Sequence, residues 1–246
     1  MLNPLALRLE QFAQFSAEER TVLDHVAGIG VHHLGPRVDI IREGDTPSGT
    51  NLVLSGWACR YKQLEDGRRQ IIGFLLPGDL CGYQAQLLRE MDHSIGALTP
   101  VTFTSIPRTT LEDLTARHPR IERALWWETL VAHAIQRELT VSLGQRDAAE
   151  RMGHLLCEVF LRLGSVGLTR GDSCDLPVTQ ADLGDAMGLS TVHVNRTLQH
   201  LRGAGLIILK GGVLTIPDQR ALMDASHFNP NYLHLGREGA RFDAHE

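Results

Sequence analysis

Residues 191–201 carry side chains at spacings that suit a helix with two different faces. Val194, Leu198 and Leu201 recur at steps of three and four, so they would lie on the inward face. The positions that project outward are Thr191, Val192, Asn195, Arg196 and Gln199. Polar groups on one face of a helix suit contacts with base edges in the DNA major groove. We therefore predict that this face reads DNA.

A preceding helix would position this one. Thr179 is a good N-cap, and Asp182 would lie in the positively charged first turn. Gly184 is small enough for close approach by another helix, Gly188 supplies a turn, and Ser190 caps the following helix. Apolar residues that would lock the helices together are Leu183, Met187, Leu189, Val194 and Leu198. The ordered set predicts a helix-turn-helix.

A β-hairpin pattern follows directly. Glycines at 203 and 205 suit the end of a helix. The apolar runs 206–209 and 213–216 suit strands, and the segment 210–212 between them suits a primed turn. These features predict a winged helix-turn-helix. The alternative is a small helical domain with a hairpin and no nucleic-acid partner.

The charge balance of the chain limits how a winged helix-turn-helix could bind DNA. The chain has 246 residues and a net charge of −5, which argues against indiscriminate binding of polyanions. Within 168–216 the cations Arg170, Arg196, Arg202 and Lys210 are balanced by Asp172, Asp175, Asp182 and Asp185. Backbone amides at helix N-termini must therefore help to hold phosphates. Candidate phosphate contacts are Thr179, Ser190 and Lys210, for which helix capping or solvated surface is the alternative role.

Composition suits a globular protein of two domains. The apolar fraction is 43%, and no apolar run approaches the roughly 18 residues that a membrane helix needs. The first residues lack the pattern of a secretory signal. The four cysteines are isolated, which favours buried or free thiols over disulfides or a metal site. We expect a cytoplasmic protein.

The N-terminal half has a different sequence pattern. Residues 16–19 form a capping-box pattern that opens a short helix to about Ala27. Short strand-like runs lie at 38–41, 52–54, 57–61, 70–76 and 101–106, with glycine turns between them. Short strands with regular turns predict an antiparallel jelly roll.

A long helix is predicted from about Pro119 to Leu143, and another opens at 147–152. Its apolar stripe consists of Ala124, Trp127, Val131, Ala134, Ile135 and Leu139, widened by Trp126 and Leu130. One face would meet the roll and another a second copy of the helix. The alternative is a helix that packs only on its own roll.

This order of parts resembles the Crp/Fnr (catabolite-activator / fumarate-nitrate-regulator) family of bacterial transcription regulators over about residues 15–218. The most specific matches are the turn 77–79 followed by Gly82, the junction 143–151 and the motif 179–202. The resemblance implies an α+β chain with a cyclic-nucleotide-binding-like roll at 1–118. It further implies a dimerisation helix at 119–145, a winged helix-turn-helix at 146–218 and a tail at 219–246.

The family implies a homodimer whose two recognition helices read a palindrome under allosteric control, with RNA polymerase as a further partner. Arg196 matches the arginine that the family places on guanine, where two donors meet O6 and N7. Val192 stands where the family often has a glutamate. Valine cannot accept a hydrogen bond, so it would touch a thymine methyl, and the target sequence should differ from the best-known sites.

The family's cyclic-nucleotide site is altered in this chain. After Gly82, Tyr83 stands in place of the glutamate that grips the ribose, and His93-Ser94 stands in place of the arginine-serine pair that grips the phosphate. Losing both partners should cost several kcal/mol, because charge-assisted bonds contribute roughly 1.5–3 kcal/mol each. We predict no cyclic AMP binding. Gly82, Tyr83, His93 and Ser94 either line a pocket for another effector or simply fill it.

Other cofactors of the family are also not expected. No cysteine precedes Cys59, which argues against the family's N-terminal iron–sulfur cluster. His32, His33 and His93 are possible haem ligands, although ordinary surface or core roles suit them better among 12 histidines. We therefore expect no cofactor.

Two alternatives to an effector-controlled regulator remain open. One is a DNA binder that needs no effector, which would differ only in its response to added ligand. The other is a metal-dependent jelly-roll enzyme with an attached DNA-binding domain, for which His32, His33 and Glu43 are the nearest candidate ligands, at poor spacing. No nucleophile and base are recognisable, so we expect no enzyme. Aromatics at 227–234 should pack back on the domain, and the last ten residues are expected to be mobile.

Overall fold

The computed structural model describes residues 3–83 and 85–236. It begins with two short helices, α1 (Pro4–Leu9) and α2 (Ala17–Ala27). The predicted capping box of α2 is present, since the Ser16 and Glu19 side chains each accept the other's backbone N–H, at 3.1 and 2.8 Å. Both helices bury leucines in one cluster with residues of the roll and the long helix.

The strands of the N-terminal domain form two four-stranded antiparallel sheets, ordered β1-β8-β3-β6 and β2-β7-β4-β5. Their bounds are β1 (Val31–Leu34), β2 (Asp39–Ile41), β3 (Gly49–Ser55), β4 (Ala58–Gln63), β5 (Arg69–Leu75), β6 (Leu80–Cys81), β7 (Ser94–Ala97) and β8 (Val101–Pro107). A 3-10 turn spans Ala85–Leu87. This arrangement is the predicted jelly roll.

Two strands of the roll carry little sequence pattern. β1 is exposed along most of its length and pairs with β8 at the edge of its sheet, so it lacks an apolar alternation. β7 is buried throughout and consists largely of small residues, so it also fails to alternate.

Three helices connect the two ends of the molecule: α3 (Arg108–Arg117), α4 (Pro119–Gln145) and α5 (Ala148–Ser165). The long helix α4 is the one expected from the apolar periodicity. A reciprocal capping box between Asp147 and Glu150 opens α5, which explains why the chain stops and restarts after Gln145.

The C-terminal domain contains the predicted helix-turn-helix and hairpin. Its elements are β9 (Thr169–Arg170), β10 (Ser173–Asp175), α6 (Gln180–Met187), α7 (Thr191–Gly203), β11 (Ile208–Lys210) and β12 (Val213–Thr215). The sheet order is β11-β12-β10-β9, so two strands missed in the sequence join the hairpin. The first hairpin strand starts later than expected, because the Leu206 N–H still bonds to the Leu201 carbonyl.

The segment after the wing packs back on the domain, as expected. It contains α8 (Gln219–Ala225) and a 3-10 turn at Pro230–Leu233. Phe228 and Leu233 are buried, and Tyr232 stacks on His154 of α5. The expectation of mobility concerns residues 237–246, which lie outside the described part of the chain.

One apolar cluster runs through both domains. Trp57 and Phe74 of the roll belong to the same buried cluster as Met152 and Phe160 of α5. The cysteines at 59, 81, 157 and 174 are all buried and free. Within the described residues, no helix combines the length and apolar character needed to span a bilayer.

Candidate DNA-binding interface

The first helix of the helix-turn-helix is fixed by a reciprocal cap. Thr179 Oγ1 accepts the Asp182 N–H at 3.1 Å, and Asp182 Oδ2 accepts the Thr179 N–H at 3.0 Å. The helix ends at Gly188, whose φ of 66° lies in the left-handed region that favours glycine. These local features confirm the predicted start and end of α6.

Gly184 lies close to α7, as expected, and closer still to the turn before it. A Cβ added there would lie 2.6 Å from the carbonyl oxygen of Leu189 and 3.7 Å from the Val194 side chain of α7. The tightest neighbour is therefore the backbone of the turn after α6. A side chain at 184 would push that turn, and with it the start of α7, out of place.

The second helix presents the predicted outward face to solvent. Ser190 Oγ accepts the His193 N–H at 3.2 Å and so caps α7. Val194, Leu198 and Leu201 are buried. The exposed positions are Thr191, Val192, Asn195, Arg196 and Gln199, with Val192 at 61% exposure. In the part of the chain that the structure describes, Arg196 is paired with no carboxylate. The guanidinium is therefore available to an external acceptor.

The wing extends the same domain. Lys210 is exposed at the end of β11, and the turn after it uses Gly211 and Gly212 at φ 60° and 77°, as a primed turn requires. Ser190 and Thr179 are exposed helix caps. The Thr179 hydroxyl also donates to Asp182 Oδ2 at 2.6 Å, whereas the Ser190 hydroxyl serves as an acceptor and keeps its own proton free.

Comparison with known proteins agrees with this geometry. Residues 31–118 match the model of the cyclic nucleotide-binding domain, and residues 150–225 match that of the Crp-like helix-turn-helix domain. The chain is 31% identical over 196 residues to the nitrogen fixation regulation protein FixK of Bradyrhizobium diazoefficiens, covering 76% of this chain and 81% of that protein. The chain belongs to the Crp/Fnr family.

Two further comparisons agree with this family assignment. The transcriptional activator protein FnrL of Cereibacter sphaeroides is 28% identical over 202 residues, covering 81% of this chain and 80% of that protein. The structure of FixK2 from Bradyrhizobium japonicum has a TM-score of 0.70 at 26% identity, covering 79% of this chain and 95% of that one. The protein is thus a DNA-binding transcription regulator of the Crp/Fnr family with the mixed α/β fold expected for it.

In this Crp/Fnr protein, the residues that the sequence analysis assigned to the cyclic-nucleotide site have partners within the chain. Ser94 Oγ accepts the Glu43 N–H at 3.0 Å, and His93 Nδ1 lies 2.6 Å from Asp92 Oδ1. Tyr83 packs edge-on against Trp126 of α4, with ring centroids 5.9 Å apart. Gly82 adopts a φ of 82° in the turn before Tyr83. A separate cleft of about 780 Å³ lies between the roll and the wing, where Trp57 and Leu168 are among its lining residues.

The long helix carries a second apolar face. Ala124, Trp127 and Val131 are buried on one side of α4. Trp126 and Leu130 are exposed, at 51% and 62%. The helix therefore keeps uncovered apolar surface after it has packed on its own roll.

A contact between roll and helix-turn-helix was not foreseen. Arg37 donates two hydrogen bonds to the Asp182 carboxylate, at 2.6 and 2.9 Å. Arg69, the first residue of β5, donates to Asp182 Oδ1 at 2.9 Å and to Asp185 Oδ2 at 2.8 Å. Gln70 donates to the Ala186 carbonyl at 3.2 Å. We call this set the docking contact.

A second polar contact between the domains is buried. Arg162 of α5 donates to Asp79 Oδ2 of the roll at 2.5 Å and to Glu158 Oε1 at 3.1 Å. Arg8 Nε lies 3.8 Å from Asp79 Oδ1, and Glu128 of α4 is buried beside them. Burial raises the pKa of Glu128 to about 7. We call Arg8, Asp79, Glu128, Glu158 and Arg162 the buried charge cluster.

The residues proposed for an alternative metal site are engaged separately. His32 stacks on Phe103, and His33 Nδ1 lies 3.1 Å from Thr102 Oγ1. Glu43 pairs with Lys62. Across the described residues, no group of three or more histidine, cysteine, aspartate and glutamate side chains is placed to hold a metal ion.

Proposed function

We propose that the protein acts as a homodimer that reads a palindromic DNA site with α7 of each copy. The observation that carries this proposal is the division of α7 into a buried apolar face and an uncovered face of Thr191, Val192, Asn195, Arg196 and Gln199. A helix held by its apolar side can enter the major groove with the other side free. Arg196 would donate two hydrogen bonds to guanine, and Val192 would touch a thymine methyl.

The phosphate backbone would be held by backbone amides at the start of α7 together with Ser190 and Lys210. Thr179 is the weaker candidate of the three named from the sequence, because its hydroxyl proton is already donated to Asp182. The equal number of acidic and basic residues within 168–216 favours a small set of specific sites over general coating of DNA.

The exposed side of α4 supports the dimer. Leu130 and Trp126 are large apolar side chains that keep more than half of their surface exposed in one copy, although Tyr83 contacts one edge of Trp126. A second α4 would cover them, because apolar residues on one helix face pair readily with the same face of a partner. The two-fold symmetry of such a dimer would match the symmetry of a palindrome.

Control of this regulator would act through the roll, with an effector other than cyclic AMP and without an iron–sulfur cluster. Tyr83 and His93 lack the charged groups that hold a cyclic phosphate and a ribose, and both have partners within the chain. RNA polymerase is a further proposed partner, and no enzymatic activity is proposed. A regulator that needs no effector would show unchanged DNA affinity with any added ligand.

The test is the affinity of Arg196→Ala for a duplex that the wild type enriches from a random pool. Loss of one bidentate contact should weaken binding by about 1–3 kcal/mol and relax the preference at one base pair in each half-site. Arg220→Ala, which removes an exposed arginine on α8, should leave affinity and sequence preference unchanged. Equal affinity and an unchanged preference for Arg196→Ala would overturn the proposed docking of α7.

A further inference from the structure

The docking contact joins two parts of the chain that are far apart in sequence. Arg37 lies in the turn between β1 and β2, and Arg69 begins β5, whereas Asp182 and Asp185 lie on α6. Arg37 holds a φ of 66°, a left-handed conformation that is unusual for a residue with a side chain. Such a conformation persists where the surroundings over-determine it, as the two hydrogen bonds to Asp182 do here.

The Asp182 carboxylate is the main acceptor of the docking contact. Asp182 is 1% exposed, and its carboxylate accepts from Arg37, from Arg69 and from Thr179. Burial alone would raise the pKa of Asp182, but the hydrogen bonds from Arg37 and Thr179 outweigh it and hold the pKa below its usual value. The carboxylate is therefore charged at neutral pH, and its countercharges come from the roll.

The donor side is also fixed in place. The Arg69 guanidinium lies 5.7 Å from the centroid of the Tyr61 ring, and Tyr61 OH donates to Asp39 Oδ1 at 2.8 Å. Gln70 adds a hydrogen bond to the backbone of α6 at Ala186. The roll is thus hydrogen-bonded to α6 at both carboxylates and at its C-terminal turn.

The charges neutralised in the docking contact bear on DNA binding. The first helix of a helix-turn-helix crosses the DNA backbone. Two unpaired carboxylates on α6 would repel the phosphates there. Arg37 and Arg69 neutralise both, and they do so while the outward face of α7 stays uncovered.

We infer that Arg37 and Arg69 are positioning residues for DNA binding: they hold α6, and through it α7, in the orientation that reads DNA, and they neutralise the two carboxylates of α6. The inference rests on the proposed function of α7. It assigns to the roll a direct part in the affinity for DNA, separate from any effector.

The experiment compares full-length variants on a duplex enriched from a random pool by the wild type. Arg37→Ala combined with Arg69→Ala should weaken binding by roughly 5- to 150-fold, the range of coupling between linked sites. The control combines Arg68→Ala with Arg89→Ala. It removes the same charge from the roll, at exposed arginines that pair with Asp66 and Glu90 of the roll itself, and should bind like the wild type.

A charge swap separates positioning from general destabilisation. Arg69→Asp should weaken binding, and adding Asp185→Arg to it should restore part of the lost affinity, because the pair between positions 69 and 185 is rebuilt with reversed polarity while residue 69 still faces Asp182. Asp185 suits the exchange, since it is partly exposed and does not cap α6. Hydrogen exchange of the α6 amides should rise in Arg69→Asp and fall again in the swapped protein.

The outcomes distinguish the proposed function from this inference. If the wild type enriches only an asymmetric sequence, the proposed function fails and this inference falls with it. If the wild type reads a palindrome but the double alanine variant binds equally well or more tightly, the inference alone is overturned. No recovery of binding in the swapped protein would also overturn the inference.

Discussion

Two contacts join the roll to the DNA-binding domain, and they differ in solvent access. In the docking contact, Arg37 keeps 47% of its side chain exposed while it pairs with Asp182. In the buried charge cluster, Arg162 and Asp79 are both almost fully buried. Removing one partner of a buried pair strands a charge away from water, whereas a pair with an exposed partner is screened by solvent. The cluster therefore contributes more to the stability of the fold, and the docking contact positions α6 with a smaller contribution to stability.

The largest effect expected from this difference is at the buried charge cluster. Arg162→Ala leaves Asp79 and Glu158 without their main countercharge, and the free energy of unfolding should fall by about 3–5 kcal/mol. Chemical denaturation measures this loss, with Arg42→Ala as a control at an exposed arginine of the roll. A loss of less than about 1 kcal/mol would mean that the cluster behaves like a surface pair.

The second prediction concerns pH. Burial raises the pKa of Glu128 from 4.5 to about 7, so between these values the folded protein holds a proton that the unfolded chain lacks. This contribution to stability is full below pH 4.5 and is lost as the pH rises through 7. The free energy of unfolding of Glu128→Gln, relative to that of the wild type, should therefore rise by about 3 kcal/mol as the pH is raised from about 5 to about 8, as measured by chemical denaturation at each pH.

The control for this pH prediction is Glu112→Gln, at an exposed carboxylate on α3, which should show no such gain. His154, whose pKa burial lowers to about 3, has the opposite dependence, but it cancels in the difference between variant and wild type. A flat difference across this pH range would contradict a buried, protonated Glu128.

The smallest effect is expected at the docking contact. Arg37→Ala should lower the free energy of unfolding by no more than about 1 kcal/mol, since the arginine is half-exposed. Thermal or chemical unfolding of this variant beside Arg162→Ala tests the comparison directly. Similar losses at the two sites would show that the docking contact is as integral to the fold as the buried charge cluster.

The recognition unit could be predicted from sequence because its determinants are local. Thr179 and Asp182 cap one helix, Ser190 caps the next, and Val194 and Leu198 repeat at helical spacing within it. Five of the eight strands of the roll could also be predicted, whereas β1, β6 and β7 were missed: β1 is exposed, β6 has two residues, and the small buried residues of β7 carry no alternation. At Gly184 the close approach of α7 was expected, but the still closer carbonyl of Leu189 in the following turn was not.

The contacts between the domains could not be predicted in this way. Asp182 had a sufficient local role as a capping residue, and nothing near it in sequence indicates Arg37, which lies in the roll. Asp79 belonged to a recognisable turn, yet its partner Arg162 lies on a different domain. Pairings across such separations depend on how the domains pack, which neither periodicity nor spacing encodes.

Selection of random duplexes by the purified wild type, with no added effector, asks whether α7 of two copies reads DNA. We expect enrichment of a palindrome whose half-sites lie about one helical turn apart. A folded, dimeric protein that enriches only an asymmetric sequence would contradict this reading of DNA by two copies of α7.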